Sequence, residues 1–114
     1  TSDAPIFVYY TLSAPENGAV IQAKGYNALG KSFRVATQTK TVISSVRNEL
    51  HFASVIASED NTVVKFDNGS KQFRNFAGTI QTITLNTGET FMVQPADADK
   101  FFAGLLITAD KPIA

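Results

Sequence analysis

Short runs of β-branched and aromatic residues, each closed by Gly, Asn or Asp, constrain the fold of this chain more than any other feature. Val, Ile, Thr, Phe and Tyr supply 41 of its 114 residues, and these are the side chains that fit a pleated, half-buried surface. A 3.6-residue period is never sustained. Thr37 to Arg47 has room for one helical turn, but its Thr and Val content argues against more. The pattern therefore predicts an all-β fold, an antiparallel sandwich-like module of short strands, with blades of a β-propeller as the alternative arrangement of the same elements.

Individual strands follow from parity. Ser32 to Ala36 and Thr90 to Gln94 alternate as half-buried strands, with Phe33, Val35, Phe91 and Val93 inward. Ile6 to Leu12 and Leu50 to Ala57 are apolar on both parities, as in strands covered on both faces or entering a contact with another domain. Ala19 to Ala23, Thr62 to Phe66 and Gly104 to Ala109 are shorter candidates. Ile80 to Leu85 changes parity between Ile80 and Ile83, which predicts a bulge near Gln81-Thr82. Turn chemistry separates these runs. Asp67-Asn68-Gly69-Ser70 and Asn86-Thr87-Gly88-Glu89 read as hairpin turns, Glu59-Asp60-Asn61 as a connection, and Asn17-Gly18 as a turn before Ala19. The core expected from this reading is Phe33, Phe52, Ile56, Val64, Phe66, Ile83, Phe91, Val93 and Ile107. One echo, Gly18 to Lys24 against Gly104 to Lys111, suggests a degenerate repeat.

Length allows one domain, 1–114. The chain opens Thr1-Ser2-Asp3-Ala4-Pro5 without an initiator Met, and Ile113-Ala114 resembles the first pair of a strand, so it reads as a segment of a longer multidomain protein. Ten basic against ten acidic residues leave no net charge, which argues against a nucleic-acid-binding protein. No apolar run reaches the length of a membrane-spanning helix, so no membrane insertion is expected. The absence of Cys removes disulfides, thiol catalysis and Cys-ligated metals.

The search for chemistry predicts no enzyme and no cofactor. His51, the only histidine, is flanked by apolar residues and has no Ser or Cys nucleophile motif to serve. Gly25 to Ser32 matches G-x-x-x-x-G-K-S literally, but a phosphate loop must leave a buried strand and open a helix, and here Phe33-Arg34-Val35 follows as a strand. Asp97 and Asp99, with Glu89, carry oxygen ligands of the kind Ca²⁺ takes, but their spacing fits no EF-hand loop. A solvated loop is the better reading. Between Asn17 and Asn48 stand Lys24, Lys31, Arg34, Lys40 and Arg47 with no acid, a solvated strand face or a contact for an acidic partner or anionic glycan.

Three stretches in order carry a resemblance. They are Asn27 to Val35; Phe52 to Val64, with Glu59-Asp60-Asn61-Thr62 at its centre; and Ile83 to Phe91, followed by Gly104 to Ala114 with Asp110-Lys111-Pro112. Together, over about residues 18–114, they resemble the IgG Fc-binding protein N-terminal-like region, found in a mammalian mucus protein and in large secreted surface proteins of gliding-type Bacteroidota. The resemblance implies a β scaffold in a secreted or cell-surface protein. It maps no Fc-binding residues onto this sequence. The expected function is therefore a noncatalytic extracellular adhesion or binding module. Its partners would be neighbouring domains, copies of itself, or a host or cell-surface protein or glycan. A structural spacer in a surface fibre and a carbohydrate-binding accessory module are the alternatives.

Overall fold

The structure is a computed structural model that describes residues 8–14, 17–23, 25–36, 52–96 and 102–114. It is all-β, as expected. Among the described residues the strands are β1 (Val8–Ala14), β2 (Asn17–Ala23), β3 (Gly30–Arg34), β4 (Ala53–Ile56), β5 (Thr62–Asp67), β6 (Ile80–Leu85), β7 (Thr90–Val93) and β8 (Leu106–Ile113), with a 3-10 turn at Gly25–Ala28. Every pairing among them is antiparallel. β1 and β2 pair with each other, β3-β8-β5-β6 form a four-stranded sheet, and β4 pairs with β7. The order β3-β8-β5-β6 is not the sequential meander of a propeller blade, so the sandwich-like arrangement is the one adopted.

The sheets share one long, bent hairpin. Asp67↔Ile80 to Thr62↔Leu85 pair in unbroken register, and pairing resumes at Ile56↔Thr90 and runs to Ala53↔Val93. Between the two halves, Ala57 N donates to Glu89 O at 3.0 Å and Gly88 N donates to Ala57 O at 2.9 Å. Both strands of the hairpin therefore turn a corner side by side, the device by which orthogonally packed sheets are joined. The fold brings inward faces together: Phe66 of β5 lies 5.8 Å from Phe91 of β7, centroid to centroid. Phe76 stacks on Phe91 at 6.0 Å, Phe73 meets Phe76 at 5.3 Å, and Phe102 meets Phe73 at 6.1 Å. This row of rings stitches the loop after β5 to the core, each pair adding ~0.5–1.5 kcal/mol beyond its burial.

Several expectations need correction. Asn86 to Glu89 turns the chain but closes no hairpin, because β6 pairs with β5 and β7 with β4. Asp67 to Ser70 opens a long loop, since β6 begins only at Ile80; Phe73 makes an isolated bridge to Pro95 rather than a strand. No bulge interrupts Gln81-Thr82. Ile80 faces solvent while Ile83 and Leu85 face inward, which produces the apparent change of parity. The irregularity lies instead in β3, between Gly30 and Ser32. Asn17-Gly18 lies inside β2. Ile113 ends β8, which runs unbroken through Pro112, instead of starting a new strand.

Val64, Phe66, Val93 and Ile107 are buried as expected, and Phe33, Ile83 and Phe91 are partly buried against them. Phe52 and Ile56 are not in the core: they are 60 % and 41 % exposed. The inward parity runs through Ala53 and Val55 of β4 and on to Ala57, all buried, which turns the larger Phe52 and Ile56 outward. Phe73, Leu85, Phe102, Leu105 and Ile113 complete the core among the described residues, and none was among those expected there. Thr37 to Lys40, with the rest of 37–51, lies outside the described residues, as does Ile6.

Candidate functional site

Two features stand out: a polar cluster at the corner of the bent hairpin, and the outward face of β4 and β7. The cluster gathers Glu59-Asp60-Asn61-Thr62, Asn86-Thr87-Gly88-Glu89 and Asp110-Lys111-Pro112, which are far apart in sequence. Asp60 Oδ1 accepts from Thr87 N at 2.9 Å, and Lys111 Nζ donates to Asp60 O at 2.6 Å. Asp110 Oδ1 accepts from Val63 N at 2.8 Å, Glu89 Oε2 from Asn86 N at 2.7 Å, and Asn86 Oδ1 from Asn61 N at 3.3 Å. Thr62, fully buried, donates its hydroxyl to Glu59 O at 2.7 Å. Each of these side chains satisfies backbone that the corner takes out of the ladder, as short polar side chains do in turns.

The electrostatics agree. The Thr87 N–H, and then its hydroxyl, hold the Asp60 carboxyl below its ordinary range, with Lys111 adding a smaller attraction. Through its bond from the Thr87 N–H this carboxylate ties the 59–62 and 86–89 turns together. Among the described residues no three acidic or histidine side chains stand where they could hold a metal ion. Glu89 Oε2 accepts from Asn86 N within its own turn, and Asp97, Asp99 and His51 lie outside the described residues.

The basic stretch is described only in part. Lys31 Nζ donates to Asp110 O at 2.7 Å and Arg34 Nη1 to Gly104 O at 3.2 Å, so both latch β3 to β8 and the turn before it. Lys24, Lys40 and Arg47 fall outside the described residues. The phosphate-loop look-alike runs from a 3-10 turn into β3, the reverse of the strand-to-helix order that converges N–H groups on phosphate.

The outward face of β4 and β7 is different in kind. Phe52, Ser54 and Ile56 share one parity, Ser54 stands opposite Met92 and Ile56 opposite Thr90. Phe52, Ile56 and Met92 (47 % exposed) place three large apolar side chains in solvent on one small face. Parity along Leu50 to Ala57 was ambiguous in the sequence; only the small residues at 53 and 57 hinted that the larger ones face out.

Fold and site define an antiparallel, sandwich-like β module with a rigid polar corner and an apolar outer face. The chain belongs to the IgGFc binding protein family, which matches it over residues 23–114. The match covers β3 to β8 and only the last residue of β2, Ala23. The family is named for binding and not for a reaction. No curated protein and no solved structure matches the chain. Among the described residues no helix is long and apolar enough to cross a membrane.

Proposed function

We propose that this chain is a noncatalytic binding module of an extracellular, cell-surface protein, and that it engages a protein partner through the outer face of β4 and β7. The observation that carries this is the exposed trio Phe52, Ile56 and Met92. Large apolar side chains grouped on one sheet face, rimmed by the small polar Ser54 and Thr90, have the make-up of an interface centre. Family membership supports binding as the task. Among the described residues the side chains of the polar corner hold backbone, whereas those of the apolar face are open to solvent.

The test is an adhesion assay with the purified module on arrayed cell-surface glycoproteins, mucin and immunoglobulin included, comparing the parent chain with an Ile56→Lys/Met92→Lys pair. Binding should fall at least tenfold in the pair, with unchanged thermal stability. Binding that survives both lysines, or that follows the glycan instead of the protein, overturns the reading.

A further inference from the structure

The loop between β5 and β6 opens on Asn68-Gly69. Asn followed by Gly is the dipeptide most prone to deamidation, because no Cβ on the second residue obstructs its nitrogen from attacking the Asn side-chain amide. The native turn restrains both reactants. Asp67 Oδ1 accepts from Gly69 N, the attacking atom, at 3.0 Å, while Asp67 Oδ2 lies 3.7 Å from Lys65 Nζ. Asn68 is 6 % exposed, and among the described residues nothing accepts a hydrogen bond from its Nδ2. Its backbone is tied on both sides: Asn68 N donates to Thr79 O at 2.9 Å, and Lys71 N donates to Asn68 O at 3.2 Å. A buried donor without an acceptor costs stability. The side-chain amide is therefore kept in place by the turn around it and not by a bond from Nδ2.

We propose that Asn68 is a modification site, a deamidation site that the native turn holds closed with Asp67 as its guard. In the reaction Gly69 N attacks Asn68 Cγ and a C–N bond forms. The Cγ–Nδ2 bond breaks, and Nδ2 leaves as ammonia with the proton lost from Gly69 N. The five-membered succinimide that remains is opened by water to aspartate or isoaspartate, and nothing is oxidised or reduced. Attack requires Gly69 N to lose its proton. The Asp67 carboxylate opposes this twice, by accepting that N–H in a charge-assisted hydrogen bond and by placing negative charge beside the nitrogen. Opening of the turn removes the guard, and conversion is then one-way. Isoaspartate adds a carbon to the main chain between the bonds to Thr79 and Lys71, and aspartate puts an ionised group where Asn68 is buried. Either product loosens the loop that carries Phe73 and Phe76 against the core. This stands apart from the apolar-face reading, because it leaves Phe52, Ile56 and Met92 untouched.

Trypsin cuts after Lys65 and Lys71, so the peptide Phe66 to Lys71 reports the site by the mass gained when an amide becomes an acid. The full chain and the free peptide are aged side by side in mildly alkaline buffer, each as parent, Asp67→Ala and Asp67→Asn. The folded parent should deamidate at least tenfold more slowly than its peptide. In the folded chain Asp67→Ala should react roughly tenfold faster than the parent, as a charge-assisted bond that must break first requires. Asp67→Asn, whose side-chain oxygen accepts the same N–H, should stay within about threefold of the parent. Should Asp67→Ala fail to melt cooperatively, Asp67→Glu, which keeps the charge but is too long for the two-residue turn, takes its place. A folded parent as fast as its peptide, an Ala variant no faster than the parent, or an Asn variant as fast as the Ala variant overturns the proposal. So does the same acceleration in the free peptides, which would make it a property of the sequence and not of the turn. The deamidated fraction, separated by charge, should melt below the parent; an unchanged midpoint also overturns the proposal.

Discussion

Phe66 and Phe52 are the same residue in opposite circumstances. Phe66 is 0 % exposed against Phe91, whereas Phe52 stands in solvent just before β4. Truncation costs what burial and a collapsed or uncollapsed cavity dictate, so Phe66→Ala should lose ~3–5 kcal/mol, and Phe52→Ala less than about 1 kcal/mol. Urea titration of the two variants checks both; near-equal losses would mean that the inward parity of β4 is misassigned. Asp60 supplies a prediction of another kind. Its folded-state carboxyl titrates below the ordinary value of 3.8 because Thr87 and Lys111 favour the charged form. A depressed acid contributes stability that is fully present above the unfolded pKa and disappears as pH falls through the folded one. Between about pH 5 and pH 2 the parent chain should therefore lose more thermal stability than Asp60→Asn, whose amide cannot titrate. The carboxylate is open to solvent, so the difference is small and shrinks in salt. Identical acid limbs for the two proteins would remove Asp60 from the account of the corner.

The corner itself is the element that determines how β4 to β7 assemble. Asn61 holds φ +54° where β5 begins, and Gly88 holds φ +80° on the facing strand. Left-handed backbone is open to Gly and tolerable for Asn, but it costs other residues about 1–2 kcal/mol. Asn61→Ala should accordingly destabilise by about 1 kcal/mol. Asn61→Gly should restore stability to near the parent level, because the bond to Asn86 uses the backbone N–H of residue 61 and not its side chain. If the Gly variant is as weak as the Ala variant by thermal melting, the Asn side chain contributes something beyond its backbone conformation. The turn chemistry at 59–61 and 86–89 was legible in the sequence, since Asn, Asp and Gly announce where a chain reverses or bends. What they do not announce is whether the flanking strands pair with each other. Asn86 to Glu89 looks like a hairpin locally, and it became a bend because Leu85 pairs with Thr62 and Thr90 with Ile56. Pairing is a nonlocal choice made by the whole core. For the same reason Val64, Phe66, Val93 and Ile107, on clean alternations, were readable as core. Phe73 and Phe102, isolated aromatics without periodic neighbours, were not. The apolar face stayed hidden because Leu50 to Ala57 is apolar on both parities, and only packing decides which side faces inward.

At the scale of the whole molecule the chain divides by its hydrogen bonds. β3 to β8 are linked into one bent, continuous system: β8 joins β3, β5 and β4, and the hairpin corner joins the rest. β1 and β2 pair with each other, from Val8↔Ala23 to Ala14↔Asn17, and with no other strand among the described residues. The family match begins at Ala23, where that hairpin ends. A lone two-stranded hairpin is marginal in water, so β1–β2 contributes little to the stability of the rest through backbone pairing. A chain beginning at Gly25 should therefore unfold cooperatively in urea, with a loss of no more than about 1–2 kcal/mol, within the range of a single surface contact network. Its m-value should fall only in proportion to the surface removed with the hairpin, since m follows the area exposed on unfolding. The face bearing Phe52, Ile56 and Met92 should bind its partner as before. A truncated chain that aggregates, or that loses its cooperative transition, would place the hairpin inside the core instead, with its strands covering apolar surface of β3 to β8.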